Sequence, residues 1–227
     1  GGTVVHINAG IAAVAAAFLV GKRRGVDRGV EPHNVPFVVL GAGILWFGWF
    51  GFNAGSGLAA DGLAISAFLV TNVAAAMALV VWVILGHIHT GKMSAVGAAT
   101  GAVAGLVAIT PASGFVGPMG AIAVGLGAGV LTFYAVRFRH KFGFDDALEV
   151  MAVHGIGGIW GALATGIFAV GGIGLVDGDA TVLGYNAVAV LATIAYSFIV
   201  TFVILKILDV IPGLGLRADE ADEDAGL

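Results

Sequence analysis

Seven long apolar runs, separated by short polar or glycine-rich stretches, organise the chain. They cover approximately residues 3–20, 35–57, 63–86, 93–110, 117–136, 149–170 and 184–208. A bilayer core about 30 Å thick is crossed by roughly 20 residues of helix, and each run has about that length. The runs are continuous, whereas strands of a membrane β-barrel alternate apolar and polar residues. The pattern therefore predicts an all-α integral membrane protein, a polytopic bundle with seven spanning helices in residues 1–209, followed by a tail over 210–227.

The composition agrees with a chain that lies mostly in lipid. Hydrophobic residues make up 59% of it and charged residues 11%, with a mean hydropathy of +1.04. A soluble domain carries about 25% charged residues, so this chain has too few to cover a surface that faces water. Its 38 glycines suit close packing of helices in lipid. The absence of cysteine excludes disulfides, thiolate metal sites and cysteine nucleophiles.

The basic residues predict the orientation of the helices. Nine follow predicted spans 1, 3, 5 or 7, Lys206 lies at the end of span 7, and none follows spans 2, 4 or 6: Lys22, Arg23, Arg24, Arg28, Lys92, Arg137, Arg139, Lys141, Lys206 and Arg217. Loops rich in lysine and arginine stay in the cytoplasm, so we expect this side, and the C-terminus, to be cytoplasmic. The end of the chain, "RADEADEDAGL", is acidic and is expected to be a solvated tail.

A short internal repeat joins the first and sixth spans. Val5-His6-x-x-x-Gly10-Ile11 matches Val153-His154-x-x-x-Gly158-Ile159. Because the two spans lie five apart in the chain, they run in opposite directions across the membrane. Repeats of inverted topology are typical of transporters, where they meet near the midplane to form the substrate path. A repeat of five helices would place four more helices before Gly1.

His6 and His154 are the only histidines inside predicted spans. Ionisable groups in a membrane are costly and commonly line a cavity or a proton relay. Two alternatives stay open: each ring bonds a neighbouring helix only, or the pair binds a b-type haem as axial ligands. Counted from opposite faces at 1.5 Å per residue, the rings lie about 13 Å apart along the membrane normal, which leaves their contact open.

A stripe of polar and aromatic residues runs along one face of the second span. Leu45, Trp49, Phe52 and Ser56 succeed each other at helical spacing and share one face. Aromatic faces beside a hydroxyl suit a small cation. The alternative is an aromatic belt at the membrane interface, a role that the off-stripe Trp46 and Phe50 fit better. The acids of "DDALEVMAVHG" at 145–155 are expected to cap the sixth helix rather than to catalyse a reaction.

Several long strings resemble one family. "GGTVVHINAGIAA", "PHNVPFVVLGAGILWFGWFGFNAGS", "GLVAITPASGFVGPMGA" and "DDALEVMAVHGIGGIWGALATGIFA" closely resemble the ammonium transporter (Amt/Mep/Rh) family, in its bacterial and archaeal Amt branch. The resemblance covers nearly the whole chain. It implies an eleven-helix inverted-repeat fold, homotrimers with one pore per subunit, and a chain that corresponds to the fifth helix onward.

The resemblance also assigns roles to single residues. Seven positions match: the twin pore histidines His6 and His154, the recruiting and gate residues Trp49, Phe52 and Ser56, and the apolar pore-lining residues Leu45 and Val150. Glu149 stands where the family usually has an aspartate. The first four helices, which complete the recruiting site, are not part of this sequence.

The function implied is that of a channel-like transporter rather than an enzyme. It would bind ammonium at the aromatic and serine site and pass ammonia along the histidines. The expected partners are ammonium, ammonia, methylammonium, the lipid bilayer and a PII-family signalling protein at the cytoplasmic face. No cofactor and no nucleic acid are expected, and the expected location is the plasma membrane. An ammonium sensor that uses the same site is the alternative.

Overall fold

The computed structural model describes residues 1–26, 31–142 and 145–226, except the side chains of residues 140–142. Arg28 and the side chain of Lys141, two of the predicted orientation signals, lie outside the described part. All regular secondary structure among the described residues is helical. The helices are α1 (Gly2–Val20), α2 (Val35–Asn53), α3 (Gly62–Thr90), α4 (Ala95–Ile109), α5 (Pro118–Phe142), α6 (Met151–Phe168), α7 (Thr181–Val210) and the short α8 (Glu220–Ala225).

Each of the seven predicted runs contains one helix, but their lengths differ from the prediction. Six helices are long and apolar enough to cross a membrane, while α4 has only 15 residues. At 1.5 Å per residue α4 is about 22 Å long, shorter than a bilayer core. Its burial explains why: Gly101, Ala104, Leu106 and Ile109 are buried, so α4 packs against protein rather than lipid. Helix α3 instead runs further than predicted, and its last turn includes His87 and His89.

Small residues allow α3, α4 and α5 to pack closely. Ala74 and Ala78 of α3, Ala108 of α4 and Ala128 of α5 are fully buried in one apolar cluster. Close approach through small side chains is the usual way to pack helices where lipid removes the hydrophobic drive.

Polar side chains fix where three helices begin. Asn34, Asp61 and Ser94 accept hydrogen bonds from the backbone N–H groups three residues later, at the starts of α2, α3 and α4. Such caps satisfy N–H groups that have no partner within the helix.

The basic loops meet at one end of the bundle, which we call the basic end. Arg23, after α1, donates to Asp145, before α6, at 2.6 Å. A cavity of about 780 Å³ at this end is lined by the loop before α2, the start of α4 and the segment before α6.

The acidic tail is mostly exposed, and its side chains also form ion pairs. Arg24 binds Glu220 and Asp224 of α8, and Arg217 binds Glu223 at 2.7 Å. The tail is therefore paired by charge to the loop that follows α1.

Candidate functional site

The two histidines are in direct contact. The Nδ1 atoms of His6 and His154 lie 3.1 Å apart, and the ring centroids 5.3 Å. The count that separated them placed the first residues of both predicted spans at a membrane face, and the burial of these residues does not fit that placement. Gly2 and Ala152, near the first residues of α1 and α6, are already buried in the bundle.

Glycines bring the two helices together at the histidines. Gly10 of α1 lies against Gly155 of α6, and a Cβ at Gly158 would fall 3.0 Å from the Cβ of His6. A side chain at Gly10 or Gly158 would therefore push the two helices apart and separate the rings.

Both histidines also lie in the same unusual local structure. The first turns of α1 and α6, Gly2–Ile7 and Met151–Ile156, are π-helical. Such turns are rare and occur often at functional sites. The inverted repeat therefore extends to backbone geometry.

The contact imposes a rule on the protons of the pair. One Nδ1 must donate and the other must accept, so both rings cannot be fully protonated at once. When both are neutral, the donor ring has an Nε2 that accepts and the other ring has an Nε2 that donates. His6 is 2% exposed, and its Nε2 has no partner among the described residues. The pair can therefore bind a polar molecule and can exchange a proton through either outer nitrogen.

Two aromatic residues of α2 cover His6. Trp49 stacks on it with centroids 5.3 Å apart and planes 11° from parallel. Phe52 meets the His6 ring edge-on at 6.2 Å and the Trp49 ring at 5.5 Å. The two aromatic residues of the predicted stripe therefore pack against the His6 ring.

Ser56 lies in a vestibule above these rings. A cavity of about 540 Å³ is lined by Val5, Phe52, Asn53 and Ser56, with residues 110–115 except 112 on the far wall. The Ser56 hydroxyl donates to the Phe52 carbonyl at 2.5 Å, so its oxygen keeps lone pairs that can accept. The vestibule lies at the end of the bundle opposite the basic end.

The aliphatic positions lie one turn from the rings, toward the basic end. Leu45 is four residues before Trp49 on α2 and is 46% exposed. Val150 is four residues before His154, directly before the π-helical turn, and is half-buried.

The neighbouring aromatic residues Trp46 and Phe50 both pack against other helices. Trp46 packs against the core cluster of Trp49, Ala104 and Val107, and its Nε1 is buried, so its predicted lipid-facing role is wrong. Phe50 stacks on Phe68 of α3 at 3.9 Å.

The acids before α6 hold the segment that leads to His154. Asp146 accepts from the backbone N–H of Met151 at 2.7 Å, which confirms a capping role. Glu149 binds Arg139 and has a left-handed backbone, with φ of +57°. Asp145 binds Arg23, and the Arg23 guanidinium lowers the pKa of the Asp145 carboxyl. Ionic and capping contacts thus use all three carboxylates.

The geometry does not fit a haem between the histidines. Two axial nitrogens would lie about 4 Å apart on opposite sides of an iron, at roughly 2 Å per metal–nitrogen bond. Here the Nδ1 atoms are 3.1 Å apart and bonded to each other, and Trp49 occupies a face of His6.

Thr110 is a site residue that the sequence analysis missed. Its hydroxyl accepts the indole N–H of Trp49 at 2.9 Å, from the end of α4. The segment around it suggested only a turn, and no pattern linked it to α2.

Comparison with known proteins identifies relatives along the entire chain. A family model described as "Ammonium Transporter Family" matches residues 1–227. Ammonium transporter Amt1 of Archaeoglobus fulgidus is 47% identical over 232 residues, covering 100% of this chain and 59% of its own. An ammonium transporter of Aquifex aeolicus is 50% identical, covering 98% of this chain and 53% of its own. The crystal structure of Candida albicans Mep2 superposes with a TM-score of 0.91 at 38% identity, over 97% of this chain and 52% of that one. This chain thus spans somewhat more than half the length of these relatives.

Proposed function

The chain belongs to the ammonium transporter family, and on this premise we propose that the protein that contains it carries ammonium or ammonia across a membrane. The observation that supports this most is the contact of His6 with His154 at 3.1 Å beneath the stacked Trp49. This arrangement offers a small molecule a cation-binding surface and then a pair of nitrogens that accept, donate and exchange protons.

Ammonium is bound first, in the vestibule. The Ser56 oxygen accepts one of its protons, and the faces of Trp49 and Phe52 attract its charge. A cation that left this site for the apolar interior would lose its hydration at a cost of several kcal/mol or more.

Loss of a proton removes most of that cost. The accepting outer nitrogen of the histidine pair takes up the proton, the proton between the two Nδ1 atoms shifts to the other ring, and that ring releases a proton from its outer nitrogen, so the pair is neutral again. Ammonia passes the pair by hydrogen bonds to the outer nitrogens. Leu45 and Val150 line the route toward the basic end. Potassium has no proton to lose and finds no oxygen ligands to replace its water, so it is rejected.

The orientation and assembly are part of the proposal. The basic end faces the cytoplasm of a cell whose plasma membrane holds the protein, because basic loops are retained there. The full-length protein forms a homotrimer with one pore per subunit, and the cytoplasmic face is open to a PII-family signalling protein.

The test is methylammonium uptake by the full-length protein in cells that lack their own ammonium transporters. We expect uptake that saturates, that ammonium inhibits and that a tenfold excess of potassium does not. No uptake by protein that is folded and present in the membrane would overturn the proposal.

Sensing is a second candidate function, and the ion pairs of Arg24 with the tail favour it. A solved structure titled "Sensor Amt Protein" superposes with a TM-score of 0.89 at 36% identity, over 100% of this chain and 57% of that one. Ammonium binding to purified protein without methylammonium uptake would support sensing over transport.

A further inference from the structure

The indole N–H of Trp49 is held by a hydroxyl whose own proton is already engaged. Thr110 Oγ1 accepts from Trp49 Nε1 at 2.9 Å and donates to the Leu106 carbonyl at 2.8 Å. A hydroxyl has one proton, so the bond to Leu106 fixes the Thr110 oxygen as an acceptor. Because indole nitrogen only donates, the bond has one polarity and one direction.

This bond determines how Trp49 meets His6. It joins the ring on α2 to the end of α4, and the ring plane lies 11° from that of His6. Trp49 therefore presents a face to the histidine while its N–H is bound to Thr110. Trp49 is 7% exposed, so a water that replaced Thr110 as the acceptor would have to enter from the vestibule that Thr110 lines.

In this position, an indole N–H without a partner would compete with the substrate for a nitrogen of His6. His6 Nε2 has no partner among the described residues, and it is an outer nitrogen of the pair that ammonia is proposed to meet. When His6 Nε2 is the accepting outer nitrogen of the pair, an indole N–H that turned toward it would occupy that acceptor and tilt the stacked ring.

We propose that Thr110 is a positioning residue for transport: its hydroxyl binds the Trp49 indole N–H, which keeps the ring parallel to His6 and leaves the outer nitrogen of His6 to the substrate. This role rests on the proposed function. It predicts a larger effect on the passage step than on recruitment, because of the three recruiting residues only Trp49 is bound to Thr110, while Ser56 bonds the Phe52 carbonyl.

The chain contains a second arrangement of the same kind, which provides a control. Trp82 Nε1 donates to Thr132 Oγ1 at 3.0 Å, and Thr132 donates to the Ala128 carbonyl at 2.7 Å. Trp82 packs on Phe133 at 5.1 Å and not on a histidine. Loss of the Thr132 hydroxyl removes an equivalent hydrogen bond away from the pore.

The experiment compares Thr110→Val, Thr110→Ser and Thr132→Val in the full-length protein, with methylammonium as the probe. We expect Thr110→Val to lower the maximal uptake rate at least fivefold and to raise the half-saturating concentration by a smaller factor, because Trp49 is only one of the three recruiting residues. Thr110→Ser restores the hydroxyl and should recover at least half of the rate. Thr132→Val should stay within twofold of wild type in both quantities.

A second measurement reports the hydrogen bond itself. In protein labelled with ¹⁵N-tryptophan, the indole N–H resonance of Trp49 is identified as the one that disappears in Trp49→Phe. This resonance should shift in Thr110→Val and return toward its original position in Thr110→Ser. This measurement does not require transport, so it tests the hydrogen bond even if the wild-type protein shows no uptake. Absence of uptake by the wild type would contradict the proposed function and not the role of Thr110.

Three outcomes would overturn the inference. One is a transporting wild type with Thr110→Val no slower than Thr132→Val. Another is a Thr110→Ser variant as slow as Thr110→Val. The third is a Thr110→Val protein that does not fold while Thr132→Val does, because Thr110 would then serve stability and not positioning.

Discussion

Gly10 and Gly155 lie face to face where α1 crosses α6, and the space for an added Cβ atom differs between the two positions. A Cβ at Gly10 would run into the backbone of Gly155, whereas a Cβ at Gly155 would lie 3.6 Å from its nearest neighbour, the Gly10 Cα. The crossing is four residues from His6 and one from His154, so its spacing controls the distance between the rings.

Gly10→Ala should separate the histidine pair and reduce transport. Overpacking at a tight contact costs about 1–3 kcal/mol, and here the only relief is to move one helix away from the other. We expect methylammonium uptake by the full-length variant to fall more than tenfold, with a lower melting temperature in detergent.

Gly155→Ala is the matched control, because its added methyl group meets an ordinary van der Waals distance. It should keep uptake within about twofold of wild type. Equal losses in the two variants would contradict the geometry of this crossing.

Ser56→Ala should weaken recruitment more than the maximal rate. Ser56 supplies the hydroxyl oxygen proposed to accept from ammonium, and hydrogen bonds to charged groups contribute about 1.5–3 kcal/mol. Since 1.4 kcal/mol is a factor of ten, we expect the half-saturating concentration to rise roughly tenfold. An unchanged dependence on concentration would remove Ser56 from the site.

His154→Ala should abolish or greatly reduce flux. It deletes one half of the 3.1 Å contact and leaves His6 Nδ1 without its partner. His87→Ala is a suitable control, since His87 is exposed on the last turn of α3. Wild-type flux and selectivity in His154→Ala would show that the pair is no relay.

Asp145→Asn should remove stability that depends on pH. The folded carboxyl has a pKa below its ordinary value of 3.8, chiefly through the hydrogen bond from Arg23. The pair therefore contributes fully above about pH 4, and its contribution is lost as the pH falls through the lower folded pKa.

Arg23 is 45% exposed, so solvent limits the contribution of this pair to about 1 kcal/mol. The melting temperature of Asp145→Asn should be below that of wild type from pH 5 to 7, and the difference should shrink below pH 4. Asp209→Asn breaks a pair exposed on both sides and should change little. A difference that persists unchanged at pH 3 would assign the effect to packing.

Helical periodicity was enough to place Trp49 and Phe52 on one face, because residues three and four apart in a helix share a face whatever surrounds them. The same argument failed for Trp46. Its position off the stripe suggested lipid, but α4 packs there and buries its nitrogen. Which neighbour covers a face is a property of tertiary packing that the period of one helix does not contain.

The depth of the histidines was beyond the sequence for a similar reason. Residue counts place the first residues of each span at a membrane face, whereas Gly2 and Ala152, in the first described turns of α1 and α6, are buried. Thr110 was missed because its partner is 61 residues away and on another helix. The repeated histidine motif nevertheless predicted that both rings lie on helices of an inverted repeat that meet near the midplane, while their contact was implied only by the family resemblance.

The last prediction concerns a polypeptide of these 227 residues alone. Along the pore, Val4, Val5, Leu45 and Phe52 are 74%, 40%, 46% and 41% exposed, so one side of the proposed route has no wall. Exposure of Ser56 and the histidine pair to lipid would cost free energy, because lipid offers no hydrogen-bond partners. We therefore expect the polypeptide to insert individual helices but to give no methylammonium uptake and no stable trimer. Trimers that survive mild detergent, together with uptake in transporter-deficient cells, would show that these residues close a pore by themselves.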